Sequence, residues 1–174
     1  MSRIPIREAL ISLTHEGAVR SVPHLGSSVE PLTEQGVVDH YALYGVVDGF
    51  ALERAIQRAS DEELTALAEA MTAVAGIGDP SALEQAVADI RDEVHRLGGS
   101  ARFHAVVRGL YPMVVGNFFE VIDGASAMIC SGMPEVGARV AAKDVAGAVD
   151  RYEAMAIGNG TLVVADMRRR GIID

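Results

Sequence analysis

Residues 2–10 read Ser2-Arg3-Ile4-Pro5-Ile6-Arg7-Glu8-Ala9-Leu10, followed by Leu13 and then by Glu16-Gly17-Ala18-Val19. Ile6, Ala9, Leu10 and Leu13 recur at helical spacing and make one apolar stripe. Ser2 is placed to cap the start of that helix through its side-chain oxygen, and Gly17 closes it. Arg3 and Arg7 are four apart and share a different face, in the first two turns, where the helix dipole also favours phosphate. Beyond Gly17, Val19–Val22 predicts a strand, Pro23-His24-Leu25-Gly26 a turn, and residues 27–30 the returning strand ahead of Pro31.

From Val37 onward the pattern changes to long helical periods without alternation, which predicts an all-α antiparallel bundle. The expected architecture is therefore mainly α, with one helix and a β-hairpin over residues 1–33 and a helical domain over residues 34–174. Two S-x-x-E capping boxes, Ser60 with Glu63 and Ser81 with Glu84, divide the bundle. Leu64, Leu67, Ala68, Met71 and Val74 line the helix after the first box. Leu83, Val87, Ile90, Val94 and Leu97 line the helix after the second. Gly98 and Gly99 break the run before an apolar segment, about 101–122, kinked near Pro112. Two last helices are expected over about 136–155 and 161–170, with Gly158-Asn159-Gly160 as the stop between them. Gly45 and Gly49, inside a helix over 37–58, predict the close crossing of a neighbouring helix.

Fifteen Lys and Arg against 24 Asp and Glu leave a net charge of −9. Residues 1–32 hold three arginines and three glutamates, so the whole excess lies in the bundle. A basic nucleic-acid coat is excluded, and any DNA contact has to be local. A hydrophobic fraction of 49% and a mean hydropathy of +0.23 supply one ordinary core, with no run near the ~20 residues of a membrane span. One cysteine, Cys130, and the lack of a signal-like start make the cytoplasm the default compartment.

The opening stretch, with Pro23 and Gly26, resembles the GntR family of bacterial transcription regulators. Their recognition helix reads S-R-x-P-V-R-E-A-L and precedes an E-G-L-V strand and a glycine-tipped wing. The resemblance implies contacts to double-stranded operator DNA from Ser2, Arg3, Pro5 and Arg7 on the helix, and from His24 and Gly26 at the wing. An arginine fork suits guanine edges or phosphate. Family members carry two helices before the recognition helix, whereas here Ser2 follows Met1. The expectation is thus a partial winged helix-turn-helix whose apolar stripe lacks its usual cover.

The bundle is similar in layout to the effector domain of the FadR branch, which implies a ligand-responsive homodimer controlled by a small organic acid or acyl compound. Relatives of that layout often hold a divalent metal through one Asp and three His, and those places fall at Val87, Arg91, Ala148 and Arg170. None is a ligand, and the five histidines include no pair at helical spacing, so neither metal nor cofactor is expected. Tyr44 and Asp48 stand where the family helix often carries Arg and Glu. The candidate effector residues are accordingly Tyr44, Asp48, Val87, Arg91 and Arg170, with the two arginine forks able to meet a carboxylate directly. The plainer alternative pairs Arg91 with Asp48 or a neighbouring acid and leaves Arg170 to the helix end.

His95 and His104 are expected as surface or capping residues, Cys130 as a small hydrophobe, and the methionines as core filler or pocket lining. No nucleophile stands beside a base, so the chain is not read as an enzyme. A rival to the regulator is a helical small-molecule-binding or dimerisation protein that has lost direct DNA binding.

Overall fold

A serine, an aspartate and a few glycines decide where the elements begin and end. The computed structural model describes residues 3–15, 17–22, 24–107, 110 and 117–173, with backbone alone at residues 3 and 4. The chain divides into two compact units, Met1–Thr33 and Glu34–Asp174.

The first unit holds helix α1 (Arg3–His15) and strands β1 (Val19–Val22) and β2 (Gly26–Val29), which pair antiparallel with Val19 opposite Val29 and Val22 opposite Gly26. His24 (φ 67°) and Gly26 (φ +95°) carry the left-handed backbone that reverses the chain. Arg20 forks onto Glu30 across the strands, at 3.0 and 2.7 Å, and the Ser21 and Ser27 hydroxyls meet at 2.8 Å. The expected Ser2 cap and the place of Pro23 in the turn lie outside the described residues.

Among its described residues the second unit holds helices and no strand: α2 (Glu34–Arg58), α3 (Asp61–Ala73), a 3-10 turn (Val74–Gly76), α4 (Pro80–Gly98), α5 (Ala101–Val107), α6 (Phe118–Val121), α7 (Ala125–Ala141) and α8 (Val145–Arg169). With the hairpin this makes a mainly α protein. Ser60 and Glu63 form the full capping box: the Glu63 N–H donates to Ser60 Oγ (3.2 Å) and the Ser60 N–H to Glu63 Oε2 (3.0 Å). The second box does not form. Asp79 caps α4 by accepting from the Ala82 N–H (2.8 Å), with Pro80 at the first helical position. A proline there loses no hydrogen bond and brings a preset φ, so the helix starts before Ser81. Glu84 instead accepts from the Asn117 N–H at 2.8 Å.

The C-terminal boundary also differs from expectation. The break falls after Ala141, where Lys143 takes φ 54° and Asp144 accepts from the Gly147 N–H. Helix α8 then runs unbroken through Gly158-Asn159-Gly160. Those glycines serve packing rather than termination: a β-carbon on Gly160 would stand 2.7 Å from Tyr41 Cβ. Gly45 makes the same approach from α2, where an added β-carbon would lie 3.1 Å from Ala156 Cβ, so the expected helix crossing is present and its partner is α8. The kink at Pro112 lies outside the described residues.

Helix α2 packs on α8 and α4, and α7 packs on α3 and α8. Leu52, Leu67, Met71, Leu83, Val94, Met133 and Val136 fill the space between them, with Met71 and Met133 as core filler.

Candidate functional site

In the first unit, α1 offers Pro5 and Arg7 as exposed residues of its N-terminal half. Arg3 lies in its first turn, although the side chain, like all of Ser2, is outside the described residues. His24 and Gly26 sit exposed at the hairpin tip, and nothing lies within 4 Å of where a Gly26 β-carbon would point. The apolar stripe is open along much of its length, with Ile6 56% and Leu13 38% exposed and Leu10 half-buried.

In the second unit, a cavity of about 230 Å³ opens among α2, α4, α6, α7 and α8. Tyr41 and Tyr44 reach it from α2, Val87 and Arg91 from α4, Phe118 and Phe119 from α6, Ile129 from α7 and Asn159 from α8. Three of the sequence-predicted residues, Tyr44, Val87 and Arg91, therefore meet at one place. A neighbouring void of about 50 Å³ shares Tyr44, Val87, Ile129 and Asn159 and reaches Asp48. Arg170 is not brought to either. It is exposed at the end of α8, with Nε 2.8 Å from Asp166 Oδ2, because the helix runs out one turn beyond the packed Val163 and Val164.

Asp48 does not pair with Arg91. Buried at 2% exposure, it takes His95 Nε2 at 2.8 Å, and His95 is itself only 6% exposed. This overturns the surface position expected for His95, whose imidazole gives the buried carboxylate a hydrogen-bonded partner away from water. His104 Nε2 lies 2.8 Å from the His95 carbonyl near the C-terminal end of α4, an oxygen that also accepts from the Gly99 N–H at 2.7 Å.

The polar chemistry of the cavity includes residues that sequence reasoning missed. Tyr41 Oη and Asn159 Oδ1 are buried with no hydrogen-bond partner among the described residues. A buried polar atom left unmet costs about 1–3 kcal/mol, so this pair marks a place suited to a polar guest. Burial pushes the Tyr41 phenol above its usual ionisation range, so it stays a neutral donor, and burial lowers the His40 imidazole. Tyr41 precedes Tyr44 by one helical turn, a spacing that signals a shared face; Asn159 was hidden by its two glycine neighbours. Ala148, one of the four inferred metal positions, is fully buried in the core. Among the described residues no three His, Cys, Asp or Glu side chains converge on one point.

No family model matches the chain. It is 25% identical over 177 residues to uncharacterized HTH-type transcriptional regulators from two strains of Mycobacterium tuberculosis, covering 99% of this chain and 71% of each relative. A crystal structure of a GntR family transcriptional regulator from Pseudomonas syringae pv. tomato superposes with a TM-score of 0.64 at 22% identity, covering 98% of this chain and 74% of that one. A Listeria monocytogenes protein, Lar, described as controlling expression of the agr system, superposes with a TM-score of 0.61 at 14% identity over 93% of this chain and 80% of its own. The fold is thus one found in a GntR family regulator.

Proposed function

We propose, from the premise that this chain has the fold of a GntR family regulator and is similar along its length to HTH-type transcriptional regulators, that it is a DNA-binding transcription regulator of the FadR type, acting in the cytoplasm. Residues 1–33 are the DNA-reading element and residues 34–174 the ligand-binding and dimerisation domain. The observation that carries the reading is the S-R-x-P-x-R-E-A-L helix with Arg7 exposed, followed by a hairpin with left-handed residues at its tip. Ser2, Arg3, Pro5 and Arg7 are assigned to the major groove and His24 and Gly26 to the wing. The relatives are named as regulators rather than enzymes, which supports assigning no catalysis.

The effector is a small organic acid or acyl compound in the 230 Å³ cavity. The Arg91 guanidinium meets its carboxylate, Tyr41 Oη donates to it, and Tyr44 and Val87 hold its apolar part. Asp48 supports this site from the neighbouring void, paired with His95, whereas Arg170 contributes from the end of α8 only if that end moves on binding. Because half-sites on DNA are separated by its helical repeat, a ligand that changes the spacing of two reading elements changes affinity.

The test is a mobility shift with the DNA upstream of the chain's own gene at stated salt, with and without a panel of small carboxylates and acyl compounds. Arg7→Ala is expected to cost ~1–3 kcal/mol of binding where Arg7 reads a base. A second reading, a small-molecule-binding or dimerisation protein without direct DNA contact, is favoured by the Arg20–Glu30 fork and by Leu25, 85% exposed at the wing. It predicts ligand-induced thermal stabilisation with no shift of any DNA.

A further inference from the structure

Helix α2 is apolar on two opposite faces. Val37, Tyr41, Leu52, Ala55 and Ile56 point into the bundle, buried at 6% exposure or less. On the far side Leu43, Val46 and Phe50 are 51%, 55% and 45% exposed and fall within one narrow arc at i, i+3 and i+7. Phe50 is held upright by Phe103, stacked at 6.0 Å between ring centroids, and by Arg54, whose guanidinium stands 4.9 Å above its ring. The nearby helix α5 adds Val106, 62% exposed. A helix with a second apolar stripe has a second surface to cover.

The charges at the two ends of this stripe say what covers it. Asp39 lies one turn before Leu43 and Arg54 one turn after Phe50, both on the same face. Among the described residues Arg54 forms no ion pair, and Asp39 accepts only from its neighbour Gln35 (2.7 Å). A helix that carries an acid at one end and a base at the other, evenly spaced about its apolar centre, matches itself when turned end for end. We infer that a second copy of this chain packs on the outward face of α2, the two α2 helices running antiparallel about a twofold axis beside Val46. In that register residue numbers across the contact sum to about 93. Leu43 then meets Phe50 of the second copy, Val46 meets its own counterpart, and Asp39 stands beside Arg54 of the second copy. A twofold contact repeats each pairing, so one stripe supplies two apolar pairs and two ion pairs around a central valine contact.

The inference gives a location to the homodimer of the proposed function and rests on that part of it alone. The test is sedimentation velocity of the full chain across nanomolar to micromolar concentration, with circular dichroism to confirm folding. The wild type is expected to dimerise. Val46→Glu places two carboxylates at the centre of the apolar contact and is expected to raise the dimer dissociation constant ~100-fold or more without loss of helicity, since Val46 is exposed in the single chain. Asp39→Arg and Arg54→Asp alone each set like charges together and are expected to weaken the dimer ~3–5-fold, and the double exchange to restore it. A monomeric wild type, a dimer indifferent to Val46→Glu, or a double exchange that fails to restore binding overturns the inference. A dimer of this kind that shifts no DNA overturns the regulator reading and leaves the interface standing.

Discussion

Asp48 and His95 sit 2.8 Å apart with almost no exposure, and each is the other's compensation for having left water. Removing one partner leaves a buried polar or charged group alone, so Asp48→Ala is expected to cost ~3–5 kcal/mol of folding stability in urea titration. Replacing an exposed acid such as Glu62 is expected to cost almost nothing. A gentler effect belongs to His40, whose imidazole burial holds below its ordinary range. Between that lowered value and about 6.5 the unfolded chain binds a proton that the folded chain refuses. Stability therefore falls as the pH drops through this window, and His40→Gln is expected to flatten the slope of denaturation midpoint against pH there. Glu63, held low by the Ser60 N–H and by Arg96, Glu93, held low by Arg96, and Asp144, held low by the Gly147 N–H and by Arg139, act at lower pH with the same sign. Their contribution is present above the usual carboxylate range and lost as acid protonates them in the fold.

At the scale of elements, local chemistry decided some boundaries and packing decided others. The Ser60–Glu63 box was readable because both partners lie within one turn; Ser60→Ala is expected to cost ~1 kcal/mol, measured by thermal or chemical unfolding. Ser81 offered the same pattern but lost to the Asp79-Pro80 pair, a competition between two legitimate caps two residues apart. Gly158 and Gly160 read as a stop because glycine lowers helix propensity, yet their role is to let α8 approach Met128 and Tyr41, which lie far away in sequence. The same non-local dependence hid Asn159 from the cavity, while Tyr44, Val87 and Arg91 were reached through the family resemblance. Gly98 shows the constraint at its tightest: a β-carbon there would fall 1.9 Å from the Ala51 carbonyl oxygen. That neighbour is backbone and cannot swing aside, so Gly98→Ala is expected to destabilise the bundle by several times the ~1 kcal/mol that alanine gains in helix propensity, again read by urea titration.

For the whole molecule, the two units separate at Thr33, and the charge separates with them: the neutral balance of residues 1–32 against an acidic bundle. An acidic bundle repels DNA, so only the small unit has a field compatible with it. Among the described residues no helix is long and apolar enough to cross a membrane. In the sequence the periodicity changes from Val37 onward, because strand pairing and helix repetition leave different patterns in the chain.

The crossing of α2 and α8 carries one further consequence. Gly45 and Gly49 on one helix face Ala156 and the Glu153 stem on the other, and Gly160 lies against Tyr41. Ordinary helix pairs lock because side-chain ridges of one sit in the grooves of the other. Here the notches are made by glycine, with the Tyr41 side chain against Gly160 and the Glu153 stem against Gly49, so the two backbones approach closely. At its far end, Glu34 on the first turn of α2 is tied to Arg168 on the last turn of α8, both exposed and easily exchanged with water. The crossing thus leaves no room for a larger residue at Gly45, Gly49 or Gly160, and the cavity, bounded by Tyr41 on one helix and Asn159 on the other, is walled by the same close approach.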